Sequence, residues 1–343
     1  MIISYDNNRE NERHIPVLSI VIPVFNEHEV LPLCLQRLNA IVDQLNIRTE
    51  LLFIDDGSSD GSLEYLEGLE AGSACVRVIS FSRNFGKEAA LTAGLDHARG
   101  EAVVILDADL QDPPELIPKM LEAWRKGADV VLMQRRSRAG ESRFKRTTAH
   151  LFYRLLQRMS SSPIPTDTGD FRLISRPVIE ALKQLPERNR YMKGIFAWVG
   201  MPTVILKYDR DPRLAGTTKW NYFGLLRLAL EGITSFSTSP LRWVMGLGIV
   251  AAFVGGAFGL WIIFKAFTLG DPVHGYPSLI SVITFLGGVQ LIALGIVGEY
   301  VGKTYIETKQ RPNYLIRNVT HIAEATHAIS ASGVVEDVHA QAS

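Results

Sequence analysis

Cysteine is almost missing from this chain of 343 residues, where Cys34 and Cys75 are the only two. A disulfide framework is therefore excluded, and the chain fits a reducing compartment. Net charge is missing too, with 36 basic residues against 36 acidic ones. That balance removes the bulk attraction a nucleic acid would feel, so no nucleic-acid partner is expected. Met1 to His14 hold no apolar run, which argues against a secretory signal, and residues 1–15 read as a flexible tail. In two places charge of either sign is absent. Neither Trp243–Phe264 nor Pro277–Gly298 contains an Asp, Glu, Lys or Arg. A bilayer crossing takes about 20 apolar residues, so two transmembrane helices are expected, near 241–267 and 275–301. Lys265 is the only basic residue between them, whereas Arg227 and Arg242 precede the pair and Lys303, Lys309, Arg311 and Arg317 follow it. The positive-inside bias then assigns both termini, and everything ahead of the hairpin, to the cytoplasm. Gly255 and Gly259 make a Gly-x-x-x-Gly face of the kind that packs helices closely.

What is present centres on Val103-Val104-Ile105-Leu106-Asp107-Ala108-Asp109-Leu110-Gln111-Asp112-Pro113-Pro114. The apolar run reads as a buried strand. Strand side chains alternate, so Asp107 and Asp109 face the same way. Asp112 before two prolines reads as the N-cap of a following helix. A plain Asp-rich turn explains an isolated Asp-x-Asp equally well. Its surroundings favour function. Strands at Val17–Val24, Leu51–Ile54, Val76–Phe81 and Asp129–Gln134 alternate with helical patterns that end near Leu45 and His97. This order implies an α/β, mostly parallel sheet covered on both sides. Phe25-Asn26-Glu27, Asp55-Asp56, Asp107-Ala108-Asp109 and Gln134-Arg135-Arg136 then share the carboxyl edge, where open α/β sheets bind ligands. Paired carboxylates suit a hard divalent cation held jointly with substrate phosphates. Arg135, Arg136, Arg138, Arg143, Lys145 and Arg146 form a basic run suited to a phosphate, although such runs are usually solvated helix faces.

Further on, Leu151, Phe152, Leu155, Leu156 and Met159 make an apolar stripe that fits either a core or a bilayer surface. Asp167-Thr168-Gly169-Asp170-Phe171-Arg172 is a polar insert with a good turn, and Arg213 to Lys219 is a basic loop. Residues 220–240 read as an amphipathic interface helix, with Trp220, Tyr222 and Phe223 at its start. The tail 303–343 reads as cytoplasmic, and frayed from Asn318.

Val21-Ile22-Pro23-Val24-Phe25-Asn26-Glu27, Ile54-Asp55-Asp56-Gly57-Ser58 and Asp107-Ala108-Asp109-Leu110-Gln111, with the paired carboxyl-terminal helices, resemble family-2 glycosyltransferases acting on polyprenyl phosphates. Asp167 to Arg172 and Ala215-Gly216-Thr217-Thr218-Lys219-Trp220 are most similar to the bactoprenol glucosyltransferase branch. The resemblance runs from about Ser19 to Arg317. It implies a GT-A domain over 16–219, inversion at the anomeric carbon, a UDP-sugar donor, Mg2+ or Mn2+, and a homo-oligomer in the bacterial inner membrane. UDP-glucose and undecaprenyl phosphate are the expected pair, with an aminosugar or formylated aminoarabinose as the alternative donor sugar. By motif, Pro23, Phe25, Glu27, Ile54 and Asp56 would line the base and ribose. Asp107, Asp109 and Gln111, with Ala108 between, would face the metal and diphosphate. Arg135 and Arg146 would bind the acceptor lipid phosphate or the diphosphate, Asp170 would be the essential carboxylate near the reacting centre, as base or orienting group, and Arg213 and Lys219 would close over the donor. Phe25 stands where relatives often carry Tyr. A processive synthase is disfavoured because Ser239 replaces the Gln of a Gln-x-x-Arg-Trp motif, and a catalytically silent scaffold or lipid-flipping partner is disfavoured by the intact acid set.

Overall fold

The computed structural model describes residues 16–70, 74–136, 168–185, 187–188, 190, 192–209, 238–269 and 275–322. Expected features at 1–15, the run from Arg138 to Arg146, the stripe at 151–159, the loop with Arg213 and Lys219, and the amphipathic stretch after Trp220 lie outside them. The elements are β1 (Leu18–Val24), α1 (Leu31–Leu45), β2 (Thr49–Asp55), α2 (Ser62–Glu67), β3 (Cys75–Phe81), α3 (Lys87–His97), β4 (Ala102–Ile105), a 3-10 turn (Pro114–Leu116), α4 (Ile117–Arg125) and β5 (Val130–Arg135). They continue as β6 (Thr168–Ser175), α5 (Arg176–Lys183), α6 (Met192–Val199), β7 (Thr203–Tyr208), α7 (Ser239–Leu269), α8 (Tyr276–Lys309) and β8 (Ile316–Ile322).

The strands form one sheet in the order β7-β5-β6-β4-β1-β2-β3-β8. Its centre, β4-β1-β2-β3, is parallel. Central strands covered on both faces need apolar residues of either parity, and β2 is buried along its whole length. Alternation sorts them: Ile20, Ile22 and Val24 pack with α1 and α4, whereas Val21, Leu52, Ile54 and Ile79 pack with α3, α5 and α6. The second face is tight, because a Cβ on Gly94 of α3 would come within 2.2 Å of Val21 Cγ1. Only glycine lets α3 lie that close.

Two strands depart from the sequence reading. β6, read as a polar insert, lies antiparallel between β4 and β5. Its lone half-exposed residue among buried neighbours is Asp170, which its direction delivers to the carboxyl edge of β4. Of the residues from Asn318 read as frayed, Asn318 to Ile322 belong to β8, which pairs antiparallel with β3, and those after Ile322 lie outside the described residues. Unfilled N–H and C=O groups along the outer strand of the parallel centre take up a partner strand, and a half-polar sequence is what an exposed edge tolerates. Asp112 is likewise not an N-cap: the turn that follows is capped at Pro113 without a side-chain bond, and Asp112 is fully buried.

Helices α7 and α8 are long and apolar enough to cross a membrane, over Ser239–Trp261 and Phe285–Lys309. They expose Trp243, Phe253, Phe258, Trp261, Phe285 and Leu291, far more apolar surface than water tolerates on one patch. Nothing among the described residues packs against Gly255 or Gly259. Past the hairpin the chain is sewn back onto the α/β domain. The Arg188 amide donates to Glu307 Oε1 at 2.9 Å, and the Tyr314 hydroxyl donates to Asp96 Oδ2 at 2.9 Å while its ring stacks on Phe81.

Candidate active site

The carboxyl edge gathers the polar segments that end the central strands. The β1 end is tied to the β2 turn: the Asn26 amide donates to Ser58 Oγ, the Ser59 amide to Asn26 Oδ1 and the Glu27 amide to Ser62 Oγ, all within 3.0 Å. Gly57 takes φ +70°, and a Cβ there would strike the Arg83 carbonyl carbon at 2.6 Å. The β2 turn therefore lies directly against the loop after β3. Asp56 fastens the two, accepting the Phe85 amide at 2.7 Å and the Gly86 amide at 2.9 Å. Burial pushes its carboxyl above the ordinary aspartate range, and these amides pull it back.

That fastened loop leads straight into Lys87, the first residue of α3. Its ammonium stands 2.7 Å from Asp107 Oδ1, 2.9 Å from Asp107 Oδ2 and 2.7 Å from Asp170 Oδ2. One cation thus holds together a carboxylate after β4 and a carboxylate on β6. Desolvation works against the charged lysine, but Asp107 and Asp170 outweigh it and hold Lys87 above the usual lysine range. Asp109 Oδ1 accepts the Gln111 amide at 3.2 Å, across Leu110 in the left-handed region at φ 55°. Gln111 is buried, and its Oε1 has no hydrogen-bond partner among the described residues.

Behind the acids lies a buried relay. Arg135 hydrogen-bonds the Tyr208 hydroxyl, which donates in turn to Asp112 Oδ1. Gly169 sits against this group, for a Cβ there would stand 3.4 Å from Arg135 Nη2. Arg135 also feels the charge of Asp107. Burial pushes the nearby Cys34 thiol up to about 12, which removes it as a nucleophile.

A divalent cation fits this donor set. Every donor is a hard oxygen, and an ammonium already sits where two carboxylates meet. Among the described residues no three or more His, Cys, Asp or Glu side chains are grouped so as to hold a metal ion by themselves.

The sequence matches the model for glycosyl transferase family 2 over residues 19–183, and the GtrB C-terminal hairpin over 239–304. A prophage bactoprenol glucosyl transferase homolog of Escherichia coli K12 is 49% identical over 302 residues, covering 88% of this chain and 99% of that protein. The bactoprenol glucosyl transferase of Shigella phage SfV is 48% identical, covering 88% of this chain and 98% of that one. The chain is a family 2 glycosyltransferase. Among solved structures, mannosyl-3-phosphoglycerate synthase of Rubrobacter xylanophilus is similar at 19% identity and a TM-score of 0.42, covering 65% of this chain and 73% of that one.

The GT-A sheet of this glycosyltransferase brings Asp107, Asp170 and Arg135 to one place, with Ala108, Asp109 and Gln111 on the adjoining loop. Phe25 is exposed at the β1 end of the same edge, and Glu27 is held beside it. Pro23 is half-buried on β1. Ile54, next to last on β2, has its side chain fully buried among Val21, Leu52 and Ile79. The buried Asp56 spends both oxygens on backbone amides and acts on the site through the Lys87 loop. Arg146, Arg213 and Lys219 lie outside the described residues. Sequence reasoning passed over Lys87, the first residue of α3, and Tyr208, the last residue of β7, as members of the site.

Proposed function

We propose that the chain transfers glucose from UDP-glucose to the phosphate of undecaprenyl phosphate, with inversion, at the cytoplasmic face of the bacterial inner membrane. The observation that carries this reading is the single ammonium shared by Asp107 and Asp170, which joins a phosphate-and-metal type of acid loop to a second acid at one edge. The named activity of relatives at 48% identity or better supports it, as do two exposed apolar helices in the same chain. Asp107 and Asp109, with Gln111, would hold Mg2+ or Mn2+ on the donor diphosphate. The bound ion would neutralise the charge that grows on departing UDP.

The protein's own groups do the remaining work. The acceptor is a phosphate monoester with a second pKa of about 6, mostly dianionic at neutral pH, so no base has to create its nucleophile. One of its oxygens forms the bond to the anomeric carbon while the bond from that carbon to the diphosphate oxygen breaks, and UDP leaves with the electron pair. Arg135 and Arg146 bind the acceptor phosphate, which counters its repulsion from the donor. Asp170, beside an anionic acceptor that needs no base, orients through Lys87 rather than removing a proton. Positioning and charge screening carry the rate. Arg213 and Lys219 close over the donor, and Phe25 and Glu27 flank its base and ribose.

Purified protein incubated with undecaprenyl phosphate, Mg2+ or Mn2+ and a panel of radiolabelled UDP-sugars tests this reading. Labelled lipid is expected with UDP-glucose. Label from an aminosugar or formylated aminoarabinose donor alone would move the donor assignment, and silence across the panel would turn the protein into a scaffold or lipid-flipping partner.

A further inference from the structure

Lys87 is fixed at its backbone, and at its tip it is paired with Asp107 and Asp170. Its amide follows Gly86, which Asp56 pins, yet 45% of its side chain is in solvent. Both oxygens of Asp107 lie within 2.9 Å of its ammonium. A divalent ion arriving at Asp107 therefore meets a resident positive charge at a few ångströms, and like charges so close raise each other's free energy steeply. A diphosphate changes the balance by supplying several anionic oxygens, and the flexible four-carbon stem of lysine lets the ammonium turn to them. We propose that Lys87 holds the place of the divalent cation in the donor-free enzyme, so that the metal enters with the diphosphate and not ahead of it. Lys87 is thus a positioning residue that makes metal binding conditional on donor. The inference rests on the metal and diphosphate reading above and adds an order of binding to it.

The consequence is a coupling between two ligands, and coupling is reciprocal. Full-length protein in detergent is titrated with Mn2+ alone, and again with saturating UDP, while free Mn2+ is followed by electron paramagnetic resonance. In the native protein UDP is expected to tighten Mn2+ binding by about a hundredfold. In Lys87→Met, Mn2+ alone should bind about tenfold more tightly than in the native protein, and the gain from UDP should shrink in proportion. Lys87→Arg keeps the positive charge and should keep the native pattern. Half-exposed and outside the core, Lys87 can be replaced without loss of the fold, which a thermal melt checks. Equal donor-free Mn2+ affinity in native protein and Lys87→Met, with an unchanged UDP effect, overturns the inference. Absence of Mn2+ binding in every protein even with UDP overturns the metal reading beneath it, and the inference with it.

Discussion

At the residue scale the site is a set of carboxylates given different tasks by their neighbours. Asp109, half-buried two residues beyond Asp107, accepts the Gln111 amide on Oδ1 at 3.2 Å. Asp109→Asn is expected to lower lipid-linked sugar formation by about a thousandfold with circular dichroism unchanged, because a lost charge-stabilising group acts on the barrier and not on the fold. Asp56 is the converse case. Its oxygens satisfy two backbone amides in a buried place, so Asp56→Ala leaves both without an acceptor. A loss of about 2 kcal/mol in unfolding free energy is expected, read from thermal or urea unfolding, together with weaker donor binding as the Lys87 loop loosens. Arg146→Ala should raise the polyprenyl phosphate requirement more than the UDP-sugar requirement in steady-state kinetics.

At the element scale, the stretch that follows the hairpin behaves as part of the catalytic sheet. β8 covers the outer edge of β3, and Tyr314 ties its approach to α3 through Asp96 and to β3 through Phe81. Tyr314→Ala removes a stacked aromatic pair and a hydrogen bond, and should cost about 2 kcal/mol, seen as a lower melting midpoint. A second tie joins α1 to the turn after the acid loop, where Arg37 grips Glu115 with two bonds of 2.8 Å and 2.6 Å. The hydrogen bonds from Arg37 hold the Glu115 carboxyl below its usual range. A depressed folded value means the tie stabilises above the unfolded value of 4.5 and is lost as pH falls through the folded one. Since the pair is partly exposed, Glu115→Gln should cost at most about 1 kcal/mol at neutral pH and nothing once the pH has fallen past the depressed folded value, in paired urea titrations.

At the scale of the whole molecule, a charge-balanced α/β domain is joined to two helices that expose apolar side chains along their length. The link is not a loose tether, since Glu307 near the end of α8 accepts the Arg188 amide and Arg188 Nε donates to the Arg311 carbonyl at 2.7 Å. The reaction proposed here needs a water-soluble donor and a lipid-borne phosphate at one interface. Topology reporters fused at either terminus should read cytoplasmic, and a reporter in the loop near Asp271 should read the opposite side, following the distribution of Lys and Arg.

Much of this was legible in residues alone, because the features concerned are periodic or compositional. Apolar runs marked the central strands and missing charge marked the hairpin, whereas β4 ends at Ile105, so strand alternation does not extend to Asp107 and Asp109. β6 and β8 were not legible, since a strand that fills a gap or covers an edge is chosen by the hydrogen bonds its neighbours leave open. Nor was Asp112, where burial against Tyr208 overrode the local logic of an acid before prolines. Lys87 shows the same limit. The sequence by itself determined which carboxylates stand at the ends of strands. Only the tertiary structure decided that a lysine twenty residues from Asp107 would sit between it and Asp170, because pairing of charges across separate loops depends on distance in space and not along the chain.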